Sequence, residues 1–140
     1  MRVFGYGTLT DPERVATVLE MDTSSAADAF VARATLEGLH RVDGSYPTLA
    51  PGGSVEGTLL AVDDAGLERL DRYEGVDDGL YVRVAVPVAT PASSAAARCW
   101  VYVGDPNRLD ADATWPGNGS FRDRVRTFIL SGDIVVETHE

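Results

Sequence analysis

Strand-forming runs cut short by glycine and proline are what most constrain the fold of this chain. Residues 2–6, 29–42, 54–62, 80–88 and 98–103 are rich in Val, Leu, Thr or aromatic side chains, and 80–88 alternates with the strand period. Gly44-Ser45-Tyr46-Pro47 and Pro51-Gly52-Gly53, between the second and third runs, have the composition of turns. Three segments carry helical signals instead. Asp11-Pro12 reads as an N-cap and first position, opening a helix with Val15, Val18 and Leu19 on one face. Asp63 and Asp64 offer caps for a second helix, with Leu67 and Leu70 at i and i+3, running to Glu74 and stopped by Gly75. Ser120 caps a third, with Val125, Phe128 and Ile129 facing inward and Gly132 at its end. The Ala/Ser-rich connection 89–97 reads as a hairpin loop, and the polar, proline-broken stretch 104–119 as a surface loop. Ile134 to Val136 forms a last short strand. This succession predicts an α+β fold, a curved mixed sheet with helices at its margin.

At 140 residues the chain is expected to form one domain, residues 1–140, with a self-sufficient core. The apolar stretches are short, no signal-like region follows Met1, and the single cysteine, Cys99, has no internal disulfide partner. A cytoplasmic location is the expectation. All 12 basic residues are Arg, against 22 acidic ones, giving a net charge of -10. Such a surface repels phosphates, so neither nucleic acid nor an anionic membrane is an expected partner. It also suits high salt, where screening relieves self-repulsion.

Chemistry concentrates at two places. Glu74 lies four residues after Leu70 and seven after Leu67, so it shares their inward face. Burial, the negative helix end and nearby Asp71, Asp77 and Asp78 all favour its protonated form, which suits general acid/base work. The alternative is a helix-end Glu that pairs with Arg72 or Arg83 and reaches solvent. The second place is Tyr6-Gly7-Thr8-Leu9, which joins a strand to a helix through a glycine. Successive amides there, with the helix dipole, would suit a carboxylate. The plainer reading is a connecting turn. Tyr81 and Arg83 share a strand face and, with Tyr102, are further candidate contacts; the alternative is packed rings and an arginine reaching the surface. His40 lacks a ligand pair, His139 lies in a terminal tail expected to fray, and Cys99 reads as a small core residue. No metal site and no cofactor are expected.

In chain order the motifs are Val3-Phe4-Gly5-Tyr6-Gly7-Thr8-Leu9, Tyr46-Pro47, Val55-Glu56-Gly57, Leu70-Asp71-Arg72-Tyr73-Glu74-Gly75, Leu80-Tyr81-Val82-Arg83, Trp100-Val101-Tyr102 and Ser131-Gly132-Asp133. In that succession the chain resembles the gamma-glutamylcyclotransferase-like family, which includes gamma-glutamylamine cyclotransferases and plant avirulence-induced proteins. The resemblance implies a small, partly open mixed β-barrel with peripheral helices and a cavity for a small gamma-glutamyl substrate. It also implies release of 5-oxoproline from a gamma-glutamyl amine, amino acid or peptide. Substrate binding then falls on Tyr6, Gly7, Thr8 and Leu9, and the acid/base role on Glu74. The attacking amine is part of the substrate, so no nucleophilic Ser or Cys is needed. A binding or regulatory module that keeps the cavity without catalysis is the competing reading. Gly5, Thr8 and Ile134 depart from the residues common in the family, and loop 104–119 matches no subfamily.

Overall fold

The computed structural model describes residues 1–89, 97–132 and 134–139. Its frame is six strands: β1 (Arg2–Gly5), β2 (Phe30–Asp43), β3 (Pro47–Ala61), β4 (Tyr81–Ala89), β5 (Ala97–Gly104) and β6 (Val135–His139). They close into a barrel in the order β1-β3-β2-β6-β4-β5. Four pairings are antiparallel, and the ring is completed by two short parallel seams, β1 with β5 and β4 with β6. The barrel is therefore closed rather than partly open, though each seam is only two residue pairs long.

The strand period builds two apolar layers from one sheet. On β1 Phe4 points into the barrel and Val3 outward, and on β3 Leu59 and Leu60 divide the same way. Helices α1 (Pro12–Leu19) and α3 (Asp64–Tyr73) cover the outer layer, packing Val15, Leu19, Leu67 and Leu70 against Val3 and Leu60. Fully burying a leucine such as Leu70 contributes roughly 2 kcal/mol. Asp11 and Asp63 cap these helices, accepting from the amides of Glu13 and Gly66. Past α3, Gly75 takes a φ of +68°, the left-handed conformation that ends a helix.

Several expectations give way. β3 starts at Pro47 and runs through Pro51-Gly52-Gly53, which the composition marks as a turn. These residues lie beside a bulge in β2 at Gly38, and Gly38, Gly52 and Gly53 all take positive φ, so the ladder continues past them. Helix α2 (Thr23–Ala29) has no apolar stripe in its sequence because Ala26 is its only buried residue. Loop 104–119 is not simply surface. It starts with α4 (Pro106–Leu109), capped by Asp105, and buries Leu109 and Trp115, the latter edge-on to Phe121 and Phe128. The last helix, α5 (Phe121–Ser131), has the expected Ser120 cap. The final strand begins at Val135 and carries His139, whose Nε2 shares a hydrogen bond of 2.6 Å with Thr35 Oγ1, so this tail is paired rather than frayed. Most of connection 89–97, and Asp133, lie outside the described residues.

Candidate active site

β1 delivers Phe4, Gly5 and Tyr6 to one end of the barrel, and the chain then turns back through a 3-10 turn, Thr8–Thr10, before α1. Thr10 holds the turn, its Oγ1 and amide both donating to the Gly7 carbonyl at 2.7 and 3.1 Å. Because this turn intervenes, the loop does not run directly into a helix N-terminus: α1 starts at Pro12, and Asp11 occupies its cap. Nor does Gly7 use positive φ. The glycine requirement lies alongside. A Cβ on Gly57 would meet the Gly5 carbonyl oxygen at 2.1 Å, and one on Gly5 would stand 3.0 Å from Leu9 Cβ. The two glycines let β1, β3 and the returning loop approach closely, which accounts for Gly5 in place of a bulkier residue.

Against this loop lies a cavity of about 270 Å³. Its wall includes Tyr6, Gly7 and Leu9 from the loop, Leu80 and Tyr81 at the start of β4, Tyr102 from β5, and Tyr73 and Glu74 at the end of α3. Two segments nearly seventy residues apart thus share one hollow. Among the described residues Glu74 is the only carboxylate that lines it; it is half-buried and joins no ion pair there. Loss of water around its carboxyl pushes the pKa up from 4.5 to about 7. Burial is the leading cause of the shift.

The tyrosines hold the wall together. Tyr6 donates its hydroxyl to the Tyr102 carbonyl at 2.5 Å, Tyr81 to the Pro47 carbonyl at 2.5 Å, and Tyr102 to Asp71 Oδ1 at 2.7 Å. All three phenols are pushed above their ordinary value, first by burial and further by the charge of Glu74, so they remain neutral donors. With their protons already engaged, they offer the cavity mainly ring faces and oxygen lone pairs. Arg41 secures the loop from outside, donating to the Tyr6 carbonyl at 3.1 Å.

Arg83 does not line this cavity. It shares the outward face of β4 with Tyr81, but residues two apart on a strand are separated by about 6.6 Å, one step too far along. Its guanidinium is held instead by Asp71 Oδ2 at 2.8 Å and by the Trp100 ring at 4.5 Å. Asp71 thus takes the arginine that a solvent-facing Glu74 would have used. The Thr8 side chain lies outside the described residues. Reading the motifs alone missed Phe4, Arg14, Tyr46, Pro47, Tyr73 and Leu80 in the lining. Arg14 had one available signal, its position in the first turn of the helix that follows the loop.

Other chemistry is poorly supplied. Cys99 is buried and its thiol is pushed up to about 12, so it stays an unreactive thiol near neutrality. His40 Nδ1 lies 3.0 Å from the Gly52 carbonyl on the bulge, remote from other metal ligands. Among the described residues no His, Cys, Asp or Glu cluster could hold a metal, and no helix is long and apolar enough to cross a membrane.

Comparison with known proteins agrees with this architecture. A solved gamma-glutamyl cyclotransferase superposes with a TM-score of 0.59 at 21% identity, over 75% of this chain and 66% of that one. A protein from Arabidopsis thaliana gives 0.57 at 29% identity, over 87% and 70%. An uncharacterized human protein gives 0.60 at 23%, over 74% and 66%. The chain thus spans about two thirds of the length of these relatives. No curated protein matches it. The family model described as gamma-glutamyl cyclotransferase, AIG2-like matches residues 3–123, most of the length, and the chain belongs to that family.

Proposed function

We propose that this protein releases 5-oxoproline from a gamma-glutamyl amine, amino acid or peptide, with Glu74 as general acid/base. The observation that carries the reading is a carboxyl, brought to a pKa of about 7 by desolvation, in a cavity that Tyr6, Gly7 and Leu9 also line. In the reaction the substrate's α-amine attacks its own γ-carbonyl carbon. Glu74, ionised, takes one proton from the α-ammonium group to free the attacking amine and returns it to the nitrogen of the leaving group; the second proton, shed as the attacking nitrogen becomes the lactam N–H, passes by the same carboxylate to the departing amine, which leaves as its ammonium ion. The C–N bond breaks and the five-membered lactam remains. Both partners are in one molecule, so holding the substrate folded supplies much of the acceleration. A pKa near neutrality lets one group accept and donate in turn. Backbone amides of the loop are suited to the α-carboxylate or the developing oxyanion.

Incubation with a panel of gamma-glutamyl donors, followed by measurement of 5-oxoproline, tests the reading. Wild-type protein is expected to turn over at least one donor, and Glu74→Gln to be slower by about 10²- to 10⁴-fold, the usual worth of a general acid/base. Full turnover by Glu74→Gln removes the assigned role. Donor-induced thermal stabilisation without product supports the non-catalytic binding module instead.

A further inference from the structure

On the outer face of the barrel, β4, β5 and α5 enclose a second cleft of about 190 Å³. Arg83, Arg122 and Arg126 line it around Trp100, and Tyr81 lines both this cleft and the cavity described above. We propose that this cleft is a binding site for a small oxyanion of two or more negative charges, of the phosphate class. The inference is independent of the cyclotransfer reading.

The charge count is the first ground. Three guanidinium groups from two elements converge in a protein whose net charge is -10. Among the described residues only Asp71 pairs with any of them, at 2.8 Å from Arg83, which leaves two positive charges uncompensated in the cleft. The second ground is placement. Arg122 and Arg126 stand at i and i+4 on α5, where like charges oppose each other, and Arg122 lies in the helix's first turn, where the dipole disfavours cations. Folding gains nothing from this arrangement, whereas an anion between the two side chains relieves both costs. Third, Arg83 is already fixed by Asp71 and by the Trp100 ring at 4.5 Å, so one donor of the site is oriented in advance. Guanidinium forks match phosphate oxygens bidentately, which favours phosphate over chloride.

Calorimetric titration with inorganic phosphate, at an ionic strength held constant with chloride, tests the site. Wild-type protein is expected to give a saturable single-site isotherm, and Arg122→Gln/Arg126→Gln to weaken it at least 10-fold. Both side chains are exposed, so the double variant is expected to melt no lower than wild type in chloride. The same protein thereby serves as its own folding control. A phosphoryl-bearing metabolite analogue such as glycerol phosphate, titrated in parallel, distinguishes a site for free phosphate from one for a phosphorylated molecule. Absence of saturable binding to wild type, or an isotherm unchanged in the double variant, overturns the proposal.

Discussion

Glu74 ties the pH dependence of stability to that of the proposed reaction. The folded protein keeps this proton up to about pH 7, while an unperturbed carboxyl gives it up near 4.5. Between those values the native state binds more protons than the unfolded one, so this group makes stability fall as pH rises across the window and level off above it. Glu74→Gln removes the slope. It is expected to melt higher than wild type at pH 8, by roughly 2 kcal/mol once residual solvation of a half-buried carboxyl is allowed for, and to equal it at pH 4. Thermal melts of both proteins over pH 4–9 check this; an unchanged slope would show that the desolvation is absent. Turnover moves in the opposite direction. The base must be ionised to take the ammonium proton, so kcat/KM is expected to rise with pH around a midpoint near 7. Asp71 stands one turn before Glu74 and accepts from both Tyr102 and Arg83, pinning the end of α3 to the barrel. Asp71→Ala leaves a phenol and a guanidinium without their acceptor and is expected to cost about 2 kcal/mol in urea unfolding, with Asp71→Asn retaining part of it.

The extent of α3 was legible because caps, spacing and stop all lie within one short segment. Asp63, Leu67, Leu70 and Gly75 each carry a local instruction, and together they bring Glu74 round to the cavity. Asp63→Ala is accordingly expected to destabilise the protein by about 1 kcal/mol, read as a shift in the urea midpoint at constant m-value. The strands were harder to bound. Pro51-Gly52-Gly53 has the composition of a turn, and what keeps it in β3 is pairing with β2 across the Gly38 bulge, which no short window of sequence reveals. Trp115 and Leu109 were hidden similarly: the polar loop around them predicts exposure, and only the aromatic partners Phe121 and Phe128 and the fit against Gly104 bury them. Arg83 shows the limit at the site. Alternation assigned its face correctly, but its distance along the strand and its capture by Asp71 are tertiary facts. Gly57 was visible only as part of a motif, yet its missing side chain is what lets β3 lie against Gly5. Gly57→Ala is expected to cost on the order of 3 kcal/mol by forcing the strands apart, and to loosen the cavity loop with them. A urea midpoint within 0.2 M of wild type, roughly 0.4 kcal/mol at a typical m-value, would contradict this close approach.

Charge acts on the molecule as a sum, and its effect can be judged by magnitude. Three ion pairs are present among the described residues: Arg41–Asp43, Arg69–Glu20 and Arg83–Asp71. The first two are largely exposed and each contributes well under about 1 kcal/mol, so screening them costs little. Against them stands a surplus of ten negative charges on an accessible surface of 7541 Å². At 0.1 M salt the screening length is about 10 Å, long enough for neighbouring carboxylates to repel; at 1 M it is about 3 Å, and most of that repulsion is gone. The repulsive sum therefore outweighs the attractive pairs, and added sodium chloride is expected to stabilise the fold. A gain of about 1 kcal/mol between 0.1 and 1 M would raise Tm by several degrees for a protein of this size. Calorimetric melts along a chloride series, at a pH above the Glu74 transition so that its protonation stays fixed, measure the effect. Replacing exposed Asp77 and Asp78 by Asn should reproduce part of the gain at low salt and shrink the salt response correspondingly. A Tm that stays flat or falls with salt would mean that the local pairs, and not the surplus, govern the electrostatics of this barrel.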